Sequence, residues 1–260
     1  MIPKVLHYCW FGQGLMPQSQ RDYIKGWHRL MPDWEIVRWN ERNFPVDLCP
    51  YSIEAYHQKK WAFISDVARL WVLDNLGGVY LDTDIKLFSS LEPFLGCKAF
   101  TGFEWYYEDY ETQDLRLLDS NGRPLNPETI IPCCGLLAGI IGATPSNRFI
   151  KECLDAYSNL NPKDNNGFVI TNNLISKIAE KHGFCYQNKI QNLDEITVYP
   201  SEVFACEPHH YRDTTVALHC HTVHSWQPLT KKERINRWLD CHGLLKPYRL
   251  ICNCFKRLHQ

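Results

Sequence analysis

The 260-residue sequence carries almost no net charge, no hydrophobic run of membrane-spanning length, no CxxC pair, no internal repeat and no low-complexity linker. Each absence removes a class of protein. The 28 basic and 29 acidic side chains balance, whereas a nucleic-acid binder carries a basic excess, so no nucleic-acid partner is expected. A spanning helix needs roughly 20 consecutive apolar residues, and the most apolar segment, CCGLLAGIIGA at 133–143, falls well short. The opening MIPKVLHYCWFG is too short for a secretory signal and lacks its cleavage pattern. Together these predict a soluble, cytoplasmic protein. The twelve cysteines then read as reduced thiols, not as a disulfide framework. Cys252 and Cys254 are too close for a usual bridge, and Cys133 and Cys134 are adjacent in an apolar run.

What is present suffices for one sizeable core: 45% hydrophobic and 13% aromatic residues. KVLHYCWFG reads as a buried first strand ending at Gly12, QRDYIKGWHRL as a helix stopping before Pro32, and WEIVRWN as a second strand. Strand, helix, strand predicts a parallel pair with a right-handed crossover. Residues 61–76 give the clearest helix, with Phe63, Ile64, Val67, Ala68 and Trp71 on one apolar stripe. Gly77 and Gly78 supply its left-handed stop, and a buried strand, VYL, follows. KAFTGFEW is a further strand, and 105–128 is a polar excursion or flap. CCGLLAGIIGATPSN is a strand with a turn at Pro145, leading to a helix from Asn147 to about Tyr157. NLISKIAEKHG is another helix, and ITVYPSEVFAC and TTVALHCHTVHSW are late strand-like segments.

Four groups of residues carry chemistry. Asp82 and Asp84 flank Thr83 at the carboxyl end of the VYL strand, the edge where open α/β sheets bind ligands. Residues two apart in extended chain project to one side. Two carboxylates there repel unless a hard divalent cation lies between them and a ligand's phosphates. Upstream, Ser65-Asp66-x-x-Arg69 puts Asp66 and Arg69 on one helix face. An arginine so placed binds an anionic phosphate or holds a carboxylate. Trp10, at the first strand's end, offers a platform for a base or belongs to the core. His219 and His221 alternate onto one face and are candidate metal ligands.

Two other readings use the same residues. A phosphohydrolase of the haloacid dehalogenase type also places DxD after a strand, but on the first strand of its fold. A zinc-stabilised Cys/His interaction module would use His219, His221, His224, Cys241, His242, Cys252 and Cys254, which form no paired ligand pattern.

IPKVLHYCWFG, WAFISDVARLWVLDNLGGVYLDTDIKL and the late HxHxxHSW together resemble the sugar-transferase family that contains the DXD motif, a glycosyltransferase family 32-like group. It includes bacterial capsule and lipopolysaccharide glycosyltransferases and yeast-type initiating α-mannosyltransferases, with the large clostridial glucosylating toxin domains more distant. The resemblance is strong over 1–12 and 61–104 and looser elsewhere.

The resemblance implies a GT-A fold, a Rossmann-like α/β/α sandwich with a mixed central sheet in a single domain over 1–260. Residues 1–104 would form the nucleotide-sugar half, 105–245 the acceptor-side half with a closing segment, and 246–260 a tail. It implies a retaining hexosyltransferase that uses Mn²⁺ or Mg²⁺ and a nucleotide-sugar, with a UDP-hexose favoured and GDP-mannose the other donor. The acceptor would be a saccharide or lipid-linked saccharide in capsule or lipopolysaccharide synthesis. Trp10 falls where the family stacks on the nucleobase. Ser65, Asp66 and Arg69 match positions that contact ribose, donor sugar and diphosphate, and Tyr80 an aromatic near the donor phosphates. Asp82 and Asp84 match the metal pair. Asp66, Arg69, Asp82 and Asp84 would carry the chemistry, with no catalytic base nominated. HCHTVHSW stands where the family has His-His-x-x-x-Ser-Trp, so Ser225 and Trp226 align and either His219 or His221 takes the metal role. The tail alternates Lys246, Arg249, Lys256 and Arg257 with Leu245, Tyr248, Leu250, Ile251 and Phe255. It could lie on an anionic membrane surface or pack on the domain.

Overall fold

The computed structural model describes residues 1–105, 114–132, 134–164, 167–205, 212–220, 230–244 and 247–248. His221, Ser225, Trp226 and nearly all of the 246–260 tail lie outside the described residues, as do 106–113 of the expected flap.

Strand β1 (Val5–Cys9), helix α1 (Gln18–Leu30) and strand β2 (Glu35–Trp39) form the expected crossover, with β1 and β2 parallel. Helix α2 (Pro50–His57) precedes helix α3 (Trp61–Leu76), which leads into strand β3 (Gly78–Leu81). Then come strands β4 (Ile85–Leu87), β5 (Ala99–Trp105) and β6 (Cys134–Ala143), and helices α4 (Arg148–Ser158) and α5 (Thr171–Glu180). Short strands β7 (Gln191–Asn192), β8 (Thr197–Tyr199), β9 (Phe204–Ala205) and β10 (Ala217–His219) follow, then helix α6 (Lys231–Cys241). No helix among the described residues is long and apolar enough to cross a membrane.

The main sheet has seven strands in the order β2-β1-β3-β6-β5-β8-β7, and β4-β10-β9 form a smaller one. The main sheet is mixed, because β6 runs antiparallel to both β3 and β5 while β1 is parallel to β2 and β3. From β1 the chain crosses one way to β2 and later returns to β3 on the other side. That reversal opens a crevice at the carboxyl ends of β1 and β3. The acidic pair lies there.

Both faces of the sheet are covered, which is why β6 is buried at every position. On one face, Tyr51, Ile64, Val67, Phe149, Tyr157 and Ile175 from α2 to α5 join one core cluster. On the other, Trp27 of α1 packs with Leu6, Ile85, Leu87, Phe204 and Ala217, so the small sheet and α1 close that side. Trp27 also donates from Nε1 to the Ile85 carbonyl at 3.0 Å, which ties α1 to the residue directly after the acidic pair.

The first strand is shorter than expected. Pairing stops at Cys9, and the chain bends through Gly12 at φ +85° after Trp10 N–H bonds the Trp39 carbonyl at 2.9 Å. Gly78 sits at φ +103°, and a Cβ there would lie 2.5 Å from the Val5 carbonyl oxygen, so only glycine allows α3 to turn into β3. Among the described residues, Cys9, Cys49 and Cys153 are buried free thiols and Cys97, Cys185 and Cys220 partly buried ones.

Under this turn His7 is fully buried. Its Nε2 lies 2.8 Å from the Gly77 carbonyl and Trp39 Nε1 donates to its Nδ1 at 3.1 Å, which fixes the neutral ring with its proton on Nε2. Burial pushes the His7 pKa below its ordinary value, only partly offset by the Gly77 carbonyl and Glu35. The unfolded chain therefore binds the proton first as pH falls below about 6.5, and this residue's share of stability is lost through that range. Urea midpoints at pH 5 and pH 7.5, with chelator present, check this. The acid-side loss should shrink in His7→Gln measured against the unaltered chain.

Candidate active site

Three neighbours fix the acidic pair through the backbone. Asp82 N–H donates to the Gly139 carbonyl at 2.9 Å, Ile85 N–H closes a tight turn onto the Asp82 carbonyl at 3.0 Å, and Cys220 N–H donates to the Asp84 carbonyl at 3.0 Å. The last bond extends the antiparallel pairing in which His219 faces Ile85. It delivers the His219 imidazole to the pair. One ligand atom from each of Asp82, Asp84 and His219 falls within 4.8 Å of the others, with His219 Nε2 3.2 Å from Asp84 Oδ1. His221 lies outside the described residues.

The site is short of positive charge. Burial works against a charged His219, yet Asp84 beside it, with Asp82 and Glu104 nearby, lifts its pKa to about 9. Two carboxylates and an imidazole form a donor set that a divalent first-row cation accepts. A Cβ on Gly139 would stand 3.1 Å from Asp82 Oδ2 and 3.3 Å from His219 Cε1. The glycine thus leaves room where a side chain would crowd the donors. By donor type and by space, these residues fit a metal ion.

Strand β6 makes that room. Thr101 pairs with Ile141 but Phe103 with Leu136, so β6 carries extra residues between those pairs and bulges beside Asp82. The bulge turns carbonyls out of the ladder. Thr101 Oγ1 caps those of Leu137 and Ile140 at 2.6 and 2.8 Å, and Arg69 Nη1 takes that of Ala138 at 2.7 Å.

Arg69 is the hub. Its side chain is only 6% exposed; Nη2 reaches Asp66 Oδ1 at 2.8 Å and Asp82 Oδ1 at 3.4 Å, while Nε donates to the Ser65 carbonyl at 3.2 Å. The guanidinium also lies 4.7 Å above the Tyr80 ring. Burial disfavours its charge, but Asp82, Tyr80 and Asp66 hold it protonated. Of the two roles open to Arg69, the structure shows the carboxylate-holding one, with Nε, Nη1 and Nη2 each bonded inside the protein.

The other expected residues divide in the same way. Asp66 is buried; burial pushes its pKa up, against Arg69 and a hydrogen bond with Thr171 that draw it down. It anchors Arg69. Ser65 spends its hydroxyl on the Trp61 carbonyl at 3.0 Å, within its own helix. Tyr80 is buried and donates from its hydroxyl to Asp82 Oδ1 at 2.7 Å. Tyr80 therefore supports the acidic pair from beneath, while Ser65 is bonded within its helix. Trp10 stands at the carboxyl end of β1, partly exposed, with Nε1 on the Gly14 carbonyl at 2.7 Å. Glu104, Thr171 and the Ala138 carbonyl belong to the site's surroundings without any sequence signal, because each comes from an element whose approach depends on the bulge and on the packing of α5.

Residues 17–101 match the family model described as the glycosyltransferase sugar-binding region containing the DXD motif. Over 102 residues the chain is 29% identical to inositol phosphoceramide mannosyltransferase 3 of Schizosaccharomyces pombe, covering 36% of this chain and 27% of that protein. Over 106 residues it is 31% identical to uncharacterized glycosyltransferase L373 of Acanthamoeba polyphaga mimivirus, covering 38% of this chain and 42% of that protein. In both, the matched stretch is less than half of the relative's length. Among solved structures, PaToxG glycosyltransferase aligns with a TM-score of 0.49 at 16% identity, covering 69% of each chain. The part of this chain that holds Asp66, Arg69, Asp82 and Asp84 thus matches the glycosyltransferase sugar-binding region of the DXD-containing family.

Proposed function

We propose that the chain is a metal-dependent, retaining glycosyltransferase that moves a hexose from a nucleotide-sugar to a saccharide or lipid-linked saccharide. The convergence of Asp82, Asp84 and His219 at the carboxyl edge of β3 carries this reading. Asp82 and Asp84 lie inside the region that matches the sugar-binding family model, and His219 joins them from outside it. Asp82, Asp84 and His219 would hold Mn²⁺ or Mg²⁺, and the imidazole nitrogen favours Mn²⁺. The chemistry supplied there would be neutralisation of the charge that develops on a departing nucleoside diphosphate.

The chain's own residues prepare that moment. Arg69 and Tyr80 fix Asp82 Oδ1 from two directions, so its carboxylate does not reorganise during transfer. Asp66 keeps Arg69 in place. Trp10 offers its ring to a nucleobase beside the crevice. Residues 1–104 form the donor half, and 105–245 the acceptor half.

A UDP-hexose is the favoured donor, and the mannosyltransferase names of the relatives keep GDP-mannose in the comparison. A role in capsule or lipopolysaccharide synthesis, at the cytoplasmic face of a membrane touched by the basic tail, suits such an acceptor. A screen of UDP- and GDP-sugars for Mn²⁺-dependent hydrolysis and thermal stabilisation tests the reading. At least one donor should show both. Phosphate-ester turnover with no sugar donor active would instead favour the phosphohydrolase reading.

A further inference from the structure

After Trp10 the chain makes a turn that its own residues do not favour. Gly12 stands at φ +85° and Gln13 at φ +55°. The first suits a glycine, but the second is left-handed backbone in a residue with a Cβ, which is energetically uphill. Such a conformation persists only where neighbours over-determine it. Three neighbours do so here. Glu41 Oε1 accepts from the Gly12 N–H at 2.5 Å. Trp61 lies so close that a Cβ on Gly12 would stand 2.4 Å from its indole Cε2. Phe11, between Trp10 and Gly12, is buried edge-on against Phe44 with ring centroids 5.8 Å apart. The two rings wedge the turn; of the three, only Glu41 bonds its backbone.

Glu41 is itself well fixed. It belongs to the turn after β2, where Asn40 Oδ1 accepts from the Arg42 N–H and Asn43 Oδ1 from the Asn40 N–H, both at 2.8 Å. Asn43 Nδ2 donates to the Arg38 carbonyl at 2.9 Å, and the Phe44 N–H donates to the Asn40 carbonyl at 3.0 Å. On the other side, Trp10 is tied to the clamped turn at both ends. Its N–H bonds the Trp39 carbonyl at 2.9 Å and its indole Nε1 the Gly14 carbonyl at 2.7 Å. Gly12 lies midway between the Trp10 backbone and the carbonyl that holds the ring, so the orientation of the indole follows the shape of the turn.

We infer that Glu41 is a positioning residue of the donor site: its carboxylate, bonded to the Gly12 N–H, holds the turn that presents the Trp10 ring to a nucleobase. This rests on the donor reading given above, in which Trp10 takes the base. Without the carboxylate, Gln13 relaxes toward ordinary negative φ and carries the Gly14 carbonyl, and with it the indole, away from the stacking position. A platform fixed before the nucleotide arrives spares the cost of ordering it on binding. The residue therefore acts on donor affinity and not on the bond that breaks.

UDP and GDP, each with saturating Mn²⁺, are titrated calorimetrically into the unaltered chain, Trp10→Ala, Glu41→Ala, Glu41→Gln and the Trp10→Ala, Glu41→Ala double variant, with thermal melting beside each. Glu41→Ala is expected to bind the preferred nucleotide about tenfold more weakly, the worth of one charge-assisted hydrogen bond. Glu41→Gln should bind nearly as the unaltered chain does, because its amide oxygen still accepts from Gly12. Adding Gln13→Gly to Glu41→Ala should recover part of the loss, since glycine adopts the left-handed turn without strain. Adding Glu41→Ala to Trp10→Ala should cost nothing further, a coupling that a general loss of folding would not produce. With an active donor, Glu41→Ala should raise KM and leave kcat at saturating donor as it is. If Trp10→Ala weakens binding and Glu41→Ala does not, or if the two losses add in full, the inference is overturned and the platform reading of Trp10 stands. If Trp10→Ala binds as the unaltered chain does, or the unaltered chain binds neither nucleotide, the platform reading fails and takes the inference with it.

Discussion

Replacing Asp84 with alanine is expected to abolish both Mn²⁺ dependence and sugar transfer while the protein stays folded. Asp84 is buried and its carboxylate faces His219 at 3.2 Å, so it would supply one of the three donors of the proposed cation site. The loss of one such electrostatic group in a closed site costs about 10²–10³-fold in turnover. The fold survives because the backbone of Asp84, not its side chain, makes the bond to Cys220, and because β4 pairs with β10 through main-chain atoms. Removing the carboxylate also removes a repulsion with Asp82, which offsets the lost contact with His219. The melting temperature should move by only a few degrees. Chelation of metal from the unaltered chain should reproduce the loss of turnover, and re-added Mn²⁺ should reverse that loss but not the Asp84→Ala defect. Unchanged turnover in Asp84→Ala would remove this residue from the cation site.

The acidic pair was legible because two independent signals converge on it. Helix α3 has one continuous apolar stripe and a glycine stop, and the strand after it is uniformly apolar, so the position of Asp82 and Asp84 at a strand's carboxyl end follows from local pattern alone. The Asp66–Arg69 pairing is equally local, since three residues along a helix bring side chains together. His219 was half legible. Its alternation with His221 marked it, but its arrival at Asp84 depends on β10 pairing with β4, and strands of three residues carry too little periodicity to reveal a partner. Helix α2 escaped notice for a similar reason: it is short, and a box between Cys49 and Ser52 caps its start instead of the usual Ser, Thr, Asp or Asn. The role of Arg69 was legible only as a choice. The Ala138 carbonyl that it bonds is turned out by the β6 bulge, and the uniform run CGLLAGIIGA gives no sign of where its ladder breaks.

Arg69→Met should be the most destabilising single change at the site. Met approximates the aliphatic bulk of arginine, so the change chiefly removes charge and hydrogen bonds. It leaves Asp66 and Asp82 without the guanidinium they share, and the Ala138 carbonyl without its donor. Removing one partner from a buried ion pair costs roughly 3–5 kcal/mol. At about 2–4 °C per kcal/mol for chains near this size, the melting temperature should fall by roughly 10 °C. The loss should depend on pH in a defined sense. With Arg69 gone, burial raises the folded-state pKa of Asp66 further above its unfolded value. The folded state then holds a proton that the unfolded chain releases, and stability falls as pH rises through the range between the two. The gap between Arg69→Met and the unaltered chain should therefore be smaller at pH 5 than at pH 8. Adding Asp66→Asn should recover part of the loss at pH 8, because an amide leaves no buried charge unpaired. Arg69→Lys should fall between the two, since an ammonium keeps the charge but cannot span Asp66, Asp82 and the Ala138 carbonyl at once. Thermal melts of the four chains at both pH values decide the matter. An Arg69→Met protein that melts with the unaltered chain at pH 8 would show that Asp66 and Asp82 do not depend on this guanidinium.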